Sequence, residues 1–464
     1  MIIVHLASLD RLCASRCLLQ EKKSKTYLVA VIGAGPAGLY AAQYLARQGI
    51  HVVLFNRDIK PGGLAEYGIY PDKYKMRTGL QAQFDRILAM PTVRYLGNVV
   101  VGQSGDIKLD QLRNAGFQAI LVTTGAQKGN WLGIPGEDLA GVYHANDVVF
   151  NYTQMPGYSD KTINIHDPVA VIGVGNVMLD IVNFIKQKHL ARSVTAYGRR
   201  GPTEVKFDKQ TLESVAGCLD LETIRSAVDE VRSSVLEVGK NLDGFYSLLE
   251  NARRNTGDCN SGLKFNLRFL RSPRRLIGNS SGQVSEVVFE INRLVLENGQ
   301  VIPKGTGKLE TVKASTLVFS IGSQVDAGFG LPVAQGNFIT NPEPRFPVDG
   351  ISYEAYNPDL CAHCEDIFVS GWARQASEGI VGLARKDAER GAKAVRQYLE
   401  TLEPMNPEKM KKVFNQTLFS GIRVIERDDL LKLRSVEKKM AEKTGLMEFK
   451  FSTNEEMLKI IEGK

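Results

Sequence analysis

Two glycine-rich turns, each set between an apolar run and the start of a helical pattern, predict an α/β chain with two Rossmann-like dinucleotide-binding domains. The first reads VAVIGAGPAG (29–38) and the second VAVIGVGNVM (169–178), so Gly33 and Gly173 lie 140 residues apart. At 464 residues the chain exceeds what one core organises, and two or three domains are expected.

The composition fits that class. Hydrophobic residues at 43% and charged residues at 23% describe an ordinary soluble globular chain. The longest apolar runs are broken by Gly and Pro before they reach the length of a membrane span. A formal charge of +7 is too mild for a nucleic-acid footprint and is compatible with an acidic protein partner. Six scattered cysteines do not form a secreted disulfide framework, so a reducing compartment is expected. That reads as cytoplasmic, with a mitochondrial or other organellar location as the alternative. Residues 1–27 read first as an accessory arm and second as a transit peptide or upstream start. Apart from the duplicated turn there is no internal repeat.

The first unit, TYLVAVIGAGPAGLYAAQYLARQGIHVVLFNRD, reads as strand, turn, helix, strand. Val29–Ile32 form a continuous apolar run, as a central parallel strand buried on both faces should. Gly33, Gly35 and Gly38 have the GxGxxG spacing: the first permits a tight turn, the second admits phosphate to the backbone, and the third allows close helix–strand packing. Leu39, Ala42, Leu45 and Ala46 make the inward stripe of the helix, and Gly49 stops it. Asn56 stands where an acid usually meets the ribose; it can bond a hydroxyl, without the strength of a carboxylate.

The second unit keeps Gly173 and Gly175 but has Met178 at the third glycine position, which predicts looser packing. Asn176 and Val177 open its helix, where free backbone N–H groups can hold a pyrophosphate. The following strand ends in Arg199 and Arg200 instead of an acid. Guanidinium groups match a 2′-phosphate, so this site is expected to take NADPH. At about 1.5–3 kcal/mol for each charge-assisted bond, the pair favours NADPH over NADH by roughly 10²–10⁴-fold.

Several ordered motifs beyond the turns carry a resemblance. They are PGGLAEYGIYPD (61–72), YLGNVVVG (95–102), LVTTGA (121–126), IPGEDLAGVY (134–143), GNVMLD (175–180), YGRRGP (197–202), FLRSP (269–273), GWARQASEGIVG (371–382) and the tail EFKFSTNEEML from 448. Together they make the chain after residue 27 resemble the adrenodoxin reductase-type NADPH:ferredoxin oxidoreductases. The resemblance implies an FAD-binding domain at 28–126 and 333–464, with an NADP-binding domain inserted at 127–332. It implies FAD at the first turn, with Gly33, Gly35 and Gly38 at the pyrophosphate, Asn56 at the ribose, Leu64 at the flavin and Val100 at the adenine by backbone contact. Gly371 and Trp372 would approach the FAD phosphates and ring system, and Gly379, Ile380 and Val381 would present N–H groups to the flavin carbonyls. Asp180 matches an acid that the family places close to the nicotinamide, and with Trp372 it is the candidate catalytic pair. A hydride would pass from NADPH to FAD, and single electrons to a ferredoxin or other iron–sulfur protein.

The chain departs from the family at several positions. Lys73 falls where the family generally has His; a lysine is no proton shuttle at neutral pH, and hydride transfer needs none, so Lys73 is given no role. Asn130 replaces an arginine that touches NADP, Thr211 replaces an acid near which Glu213 stands, and ASEG (376–379) replaces a GPTG-like turn.

Two other functions fit parts of the pattern. A flavin disulfide reductase would use the CxxC at Cys361 and Cys364, since Cys218 and Cys259 are far apart in sequence. But CAHC precedes a strand and opens no helix that would lower a thiol pKa. Alternatively the chain is a flavin subunit relaying electrons between NAD(P)H and the clusters of a larger iron–sulfur complex, as in the related glutamate synthase small subunit. With only Cys13 and Cys17, the first 27 residues hold no cluster domain of their own.

Between Arg253 and Arg275 seven basic residues face one acid, Asp258. The alternation Phe265, Leu267, Phe269 predicts a strand with one buried face, pushing Lys264, Arg268 and the flanking Arg253, Arg254, Arg274 and Arg275 outward. The resemblance implies that such arginines on the NADP domain dock an acidic ferredoxin.

Overall fold

The computed structural model describes residues 26–376, 381–406, 408, 410, 413 and 417–463. Both glycine turns lie at the carboxyl ends of central strands in separate sheets. In the first sheet the spatial order is Glu354–Asn357, Ala362–Val369, Ala119–Val122, Leu28–Ile32, His51–Phe55, Val93–Leu96, all parallel except Glu354–Asn357. The second is wholly parallel: Val142–His144, Thr316–Phe319, Val169–Ile172, Ser193–Gly198, Lys264–Phe269. Each strand that feeds a turn is buried along its whole length, which is why both read as unbroken apolar runs. Three long antiparallel strands, Arg271–Gly278, Val284–Glu297 and Gln300–Lys313, pack beside the second sheet.

The chain leaves the first sheet after Val122 and rejoins it at Glu354, so the second sheet is an insertion into the first. The outgoing and returning connections, Lys128–Gly129 and Ser323–Gln324, pair antiparallel. Asn130 completes this crossing, its N–H and side-chain amide bonding Gly322 O and Ile321 O at 3.2 and 3.3 Å.

The helices after the turns, Pro36–Arg47 and Asn176–Lys188, cover one face of each sheet. A Cβ on Gly38 would lie 1.9 Å from Gly33 O and 2.7 Å from Thr123 Oγ1, so helix and strand touch backbone to backbone there. The second helix has Met178 at this point, fully buried in its domain's core. The larger side chain is absorbed as core packing.

Sequence separation misled the reading of two cysteines. Cys218 and Cys259 form a disulfide across 41 residues. Gly217 runs so close to the neighbouring segment that a Cβ on it would sit 2.4 Å from Gly257 O. Backbone contact brings the two sulfurs together, and the cysteine pattern therefore gives no support to a reducing compartment.

A buried ionic network fixes the loop that follows the first turn. Lys60 Nζ lies 3.1 Å from Glu66 Oε1 and 2.9 Å from Glu437 Oε1, and Lys450 Nζ lies 3.0 Å from Glu66 Oε1. Glu437 belongs to the helix Arg427–Thr444, so the C-terminal region braces residues 60–67. Arg77 and Glu448 add a second pair between the same regions. Burial alone would push the Glu66 carboxyl up, but Lys60, Lys450 and the Gln81 hydrogen bond outweigh it and hold it well below the usual range.

A carboxyl depressed in the fold contributes stability above its unfolded pKa, about 4.3, and loses it as pH falls through the depressed value. Glu66→Gln should therefore cost about 3–5 kcal/mol at neutral pH, as expected for breaking a buried pair. The deficit should hold down to about pH 5 and shrink below about pH 4. Urea unfolding across that range checks it; a deficit independent of pH would show that the charge of Glu66 is not what matters.

Candidate nucleotide-binding clefts

At the first turn, Gly33 N–H donates to Phe55 O at 2.8 Å, and Thr123 Oγ1 donates to Gly33 O at 2.9 Å. Gly35 caps the helix Pro36–Arg47 with extended backbone and no side-chain cap, and Pro36 has no N–H to satisfy. The space where a Cβ on Gly35 would point is open. An uncapped helix end facing open space is what a pyrophosphate requires. Gly62 N–H reaches back to Ala34 O at 2.8 Å, laying the loop 61–67 over the turn. Leu64 opens the short helix Leu64–Tyr67 and packs, half-buried, on the core of the second domain.

Two residues assigned to the adenosine half have different tasks. Asn56 is buried, its Oδ1 accepting the Ala34 N–H at 3.0 Å and its Nδ2 donating to Asp58 O and Lys60 O at 2.9 and 3.0 Å. Its amide fixes the turn and the following loop. Val100 N–H donates to Asp106 Oδ2 at 2.8 Å and Val100 O accepts from Ile107 N–H at 3.1 Å. That backbone closes its own loop, and Val100 itself is 38% exposed.

Gly371 and Trp372 form a 3-10 turn at the end of the strand Ala362–Val369, beside the first glycine turn. Gly371 presses on the helix, since a Cβ on it would lie 2.6 Å from Ala37 Cβ. Trp372 is half-buried against the apolar cluster on that side of the sheet. Asp387, which the sequence reading did not single out, fixes this turn. It accepts from Gly371 N–H at 2.6 Å, Tyr353 Oη at 3.1 Å and Ser370 Oγ at 3.1 Å, and pairs with Arg374. A charged residue on the otherwise small, apolar side of the helix Val381–Leu399 was the signal available. Val381 begins that helix; Gly379 and Ile380 lie outside the described residues.

The second turn repeats the design. Gly173, at φ 117°, would set a Cβ 2.1 Å from Ser320 O, and Gly175 caps its helix with extended backbone, no side-chain cap and open space beyond. Asn176 and Asp208 exchange hydrogen bonds of 2.8 and 2.9 Å, pinning the loop before residue 209 against the helix start. Lys206 bridges to Gly175 through the backbone, which puts an exposed cation next to the turn that the sequence reading missed. Val177 is 44% exposed beside it.

Arg199 and Arg200 follow directly on the strand Ser193–Gly198. Their backbone is held, with Arg199 O accepting from Asn292 Nδ2 at 3.0 Å and Arg200 O from Leu270 N–H at 3.3 Å. Both side chains are exposed, and neither forms an ion pair with any described residue. The turn is rigid and its positive charge is uncompensated.

The basic stretch between 253 and 275 is different. The alternating strand forms as expected, with Phe265, Leu267 and Phe269 buried. Arg268, however, is not thrown outward; it bridges Glu230 and Glu310 at 3.1 and 2.6 Å, together with Arg271. Arg253 pairs with Asp258, Arg254 with Glu250 and Arg274 with Glu290. Glu230, Glu290 and Glu310 come from other elements and Glu250 lies just outside the stretch, so a count within residues 253–275 leaves out most of the opposing charge.

Between the two clefts the domains meet along the loop 67–73. Thr153 Oγ1 donates to Tyr67 O at 2.7 Å, Asn183 Nδ2 to Asp72 Oδ2 at 3.1 Å, and Lys73 Nζ lies 3.0 Å from Asp180 Oδ1. Burial pushes the Asp180 carboxyl up, and Lys73 opposes the shift without cancelling it. Lys73, given no role from sequence, is thus the partner that a half-buried aspartate on an apolar helix needs.

Both CAHC cysteines are free thiols, Cys361 exposed and Cys364 half-buried. They lie at the start of the strand Ala362–Val369, whereas the glycine turns open at strand ends. Six residues from Cys364 to Ser370 span roughly 20 Å at the strand rise. The Cys218–Cys259 disulfide is also at a strand start, since Leu219 bridges to Phe265 at the beginning of Lys264–Phe269. Neither pair faces a cleft, and no group of side chains suited to a metal occurs among the described residues.

Residues 27–219 match the model of a pyridine nucleotide-disulphide oxidoreductase family. The chain is 26% identical to the mitochondrial NADPH:adrenodoxin oxidoreductase of Mus musculus, over 96% of this chain and 94% of that protein. It is 28% identical to the NADPH-ferredoxin reductase FprA of Mycobacterium leprae, over 78% and 81%. The structure of Mycobacterium tuberculosis FprA in complex with NADPH superposes with a TM-score of 0.78 at 25% identity, covering 94% of this chain and all of that one. With two uncapped glycine turns on parallel sheets and one domain inserted in the other, the chain is similar almost end to end to adrenodoxin reductase-type enzymes.

Proposed function

We propose that this protein transfers a hydride from NADPH to bound FAD and delivers electrons singly to a ferredoxin-type iron–sulfur protein. The observation that carries the reading is the pair of uncapped glycine turns, of which only the second is followed by uncompensated arginines. Two different nucleotides are thereby accommodated, one of them with an extra phosphate. FAD, when bound, supplies the exchange between two-electron and one-electron carriers.

Around that chemistry the chain's own residues bind, orient and exclude. Gly33, Gly35 and Gly38 with the N–H groups of the first helix would hold the FAD pyrophosphate. The turn Gly371–Trp372, fixed by Asp387, would close over it, and Val381 at the start of its helix would bring a positive dipole end to the flavin. Gly175, Asn176 and Val177 would hold the NADPH pyrophosphate, with Lys206 as an added cation, and Arg199 and Arg200 the 2′-phosphate. The loop 61–73 lies between the two clefts, so the faces of flavin and nicotinamide would meet beside Leu64 and Asp180. Domain limits at 28–126, 127–332 and 333–464 suit this division, and residues 1–27 are an extension.

No helix among the described residues is long and apolar enough to cross a membrane. Location is a separate proposal, the cytoplasm or, as for the mouse relative, the mitochondrion, and fractionation of the native source decides between them. Membership of a larger redox complex would appear as co-purifying iron–sulfur subunits.

Replacing Arg199 and Arg200 together by Ala should raise the KM for NADPH by tens to thousands of fold and leave NADH nearly unchanged, on the order of two lost charge-assisted bonds. Equal losses for both cofactors would remove the phosphate assignment. Cys361→Ser with Cys364→Ser should leave NADPH-dependent reduction of both ferricyanide and ferredoxin intact. Selective loss of ferredoxin reduction would instead make the thiols a relay.

A further inference from the structure

The contact between the domains is built from charged groups that do not balance without one particular side chain. Three carboxylates face the seam: Asp72 from the 3-10 turn Pro71–Lys73, Asp180 from the helix Asn176–Lys188, and Asp208 from the loop pinned to that helix. Two ammonium groups oppose them, Lys73 and Lys186, and Lys186 is bonded to Ser214 O. Among the described residues, Lys73 alone is within ion-pair distance of Asp180. Besides the Thr153–Tyr67 and Asn183–Asp72 hydrogen bonds, the seam holds aromatic contacts and polar atoms that have no partner among the described residues. Tyr70 sets its edge to Tyr152 at 5.3 Å, Tyr152 stacks on Phe184 at 4.9 Å, and Tyr152 Oη and Asn183 Oδ1 are buried without a hydrogen-bond partner. Lys73 and Asp180 come from different domains, so their pairing depends on how the domains are set.

We propose that the Lys73–Asp180 ion pair is a latch between the two domains, and that Lys73 is a positioning residue whose fixed charge keeps the seam closed. The proposal rests on the functional reading only in taking the latched cleft to be the one for NADPH. A buried carboxylate deprived of its counter-ion must either take up a proton or regain water. Without the Lys73 charge, Asp180 would face Asp72 and Asp208 with no cation of the described residues at ion-pair distance, and the seam would open to hydrate it. Lowering the pH, or making residue 180 neutral, would let it close again. A lysine that merely packed its stem across the seam would show neither response.

The test uses the FAD-loaded full chain without NADPH, followed by hydrogen exchange of the amides at 70–74 and 176–183, which reports local opening. Lys73→Met keeps the stem and removes the charge; it should lower protection of both segments about tenfold at pH 7.5, the size expected for coupled neighbours. Protection should recover at pH 5.5, after correction for intrinsic exchange, whereas the wild type and Lys73→Arg should stay protected at both values. The double variant Lys73→Met/Asp180→Asn should be protected at both values. Unchanged protection in Lys73→Met, or a loss that neither acid nor Asp180→Asn restores, would overturn the latch. The NADPH reading stands or falls separately, on the cofactor preference of the wild type.

Discussion

The buried network of Lys60, Glu66, Glu437 and Lys450 carries the part of the chain on which both clefts depend. Ions removed from water are tolerated only when their partners are fixed, and here each has at least one opposite charge within about 3 Å. Residues 60–73 are consequently held from three directions. Gly62 ties them to the first glycine turn, Glu437 and Lys450 tie them to the C-terminal region, and Thr153, Asn183 and Asp180 tie them to the inserted domain. A loop so anchored can serve as a common wall for two nucleotides. It also explains why a C-terminal segment far from either glycine turn belongs to the site: its charges set the loop that the flavin would touch.

The same geometry separates electron transfer through flavin from thiol chemistry. In a parallel sheet every glycine turn opens at the carboxyl edge, and the inserted domain must present its carboxyl edge to that of the first. The paired crossing at Lys128–Gly129 and Ser323–Gln324 lets the chain leave and return at one place, so insertion does not disturb the strand order on either side. Thiols at the opposite edge, whether free at 361 and 364 or bridged at 218 and 259, are distant from that meeting point by the length of a strand. The CxxC spacing of Cys361 and Cys364 suggests redox work; their place on the sheet does not.

What could be read from the sequence was local. The glycine turns, their strands and the alternation of 264–269 repeat over a few residues and are set by backbone sterics and burial, so they were legible. What could not be read depends on partners far along the chain. The bonds of Asn56 to Asp58 O and Lys60 O span only a few residues but were no more legible, since those acceptors are positioned by the loop that Asn56 itself shapes. Lys73 was set aside because it cannot shuttle protons at neutral pH. That argument is sound for proton transfer and silent on electrostatics, and the partner 107 residues away supplied the missing half. Asp387 was passed over as one more charge in a charged helix until its four partners were seen.

Compensation, more than the number of basic residues, distinguishes a binding surface from a solvated one. The stretch 253–275 has the densest run of arginines, yet Glu230, Glu250, Asp258, Glu290 and Glu310 neutralise most of it. The exposed pairs among them, such as Arg254–Glu250, add little stability, about 0–1 kcal/mol each, but all of them reduce the field that would draw an anion. Arg199 and Arg200 are only two, and no described carboxylate meets them. Their backbone is already fixed by Asn292 and Leu270 N–H, so binding would order two side chains and no main chain. Each long side chain costs up to about 2 kcal/mol to immobilise, and sparing the backbone preserves the remainder as selectivity. An acid four residues on, Glu204, is itself engaged by Gly201 N–H and leaves the guanidinium groups unanswered. Exposed, uncompensated positive charge at the end of the second strand supports the proposed 2′-phosphate contact, because the adjoining glycine turn would place the ribose of a bound nucleotide beside it.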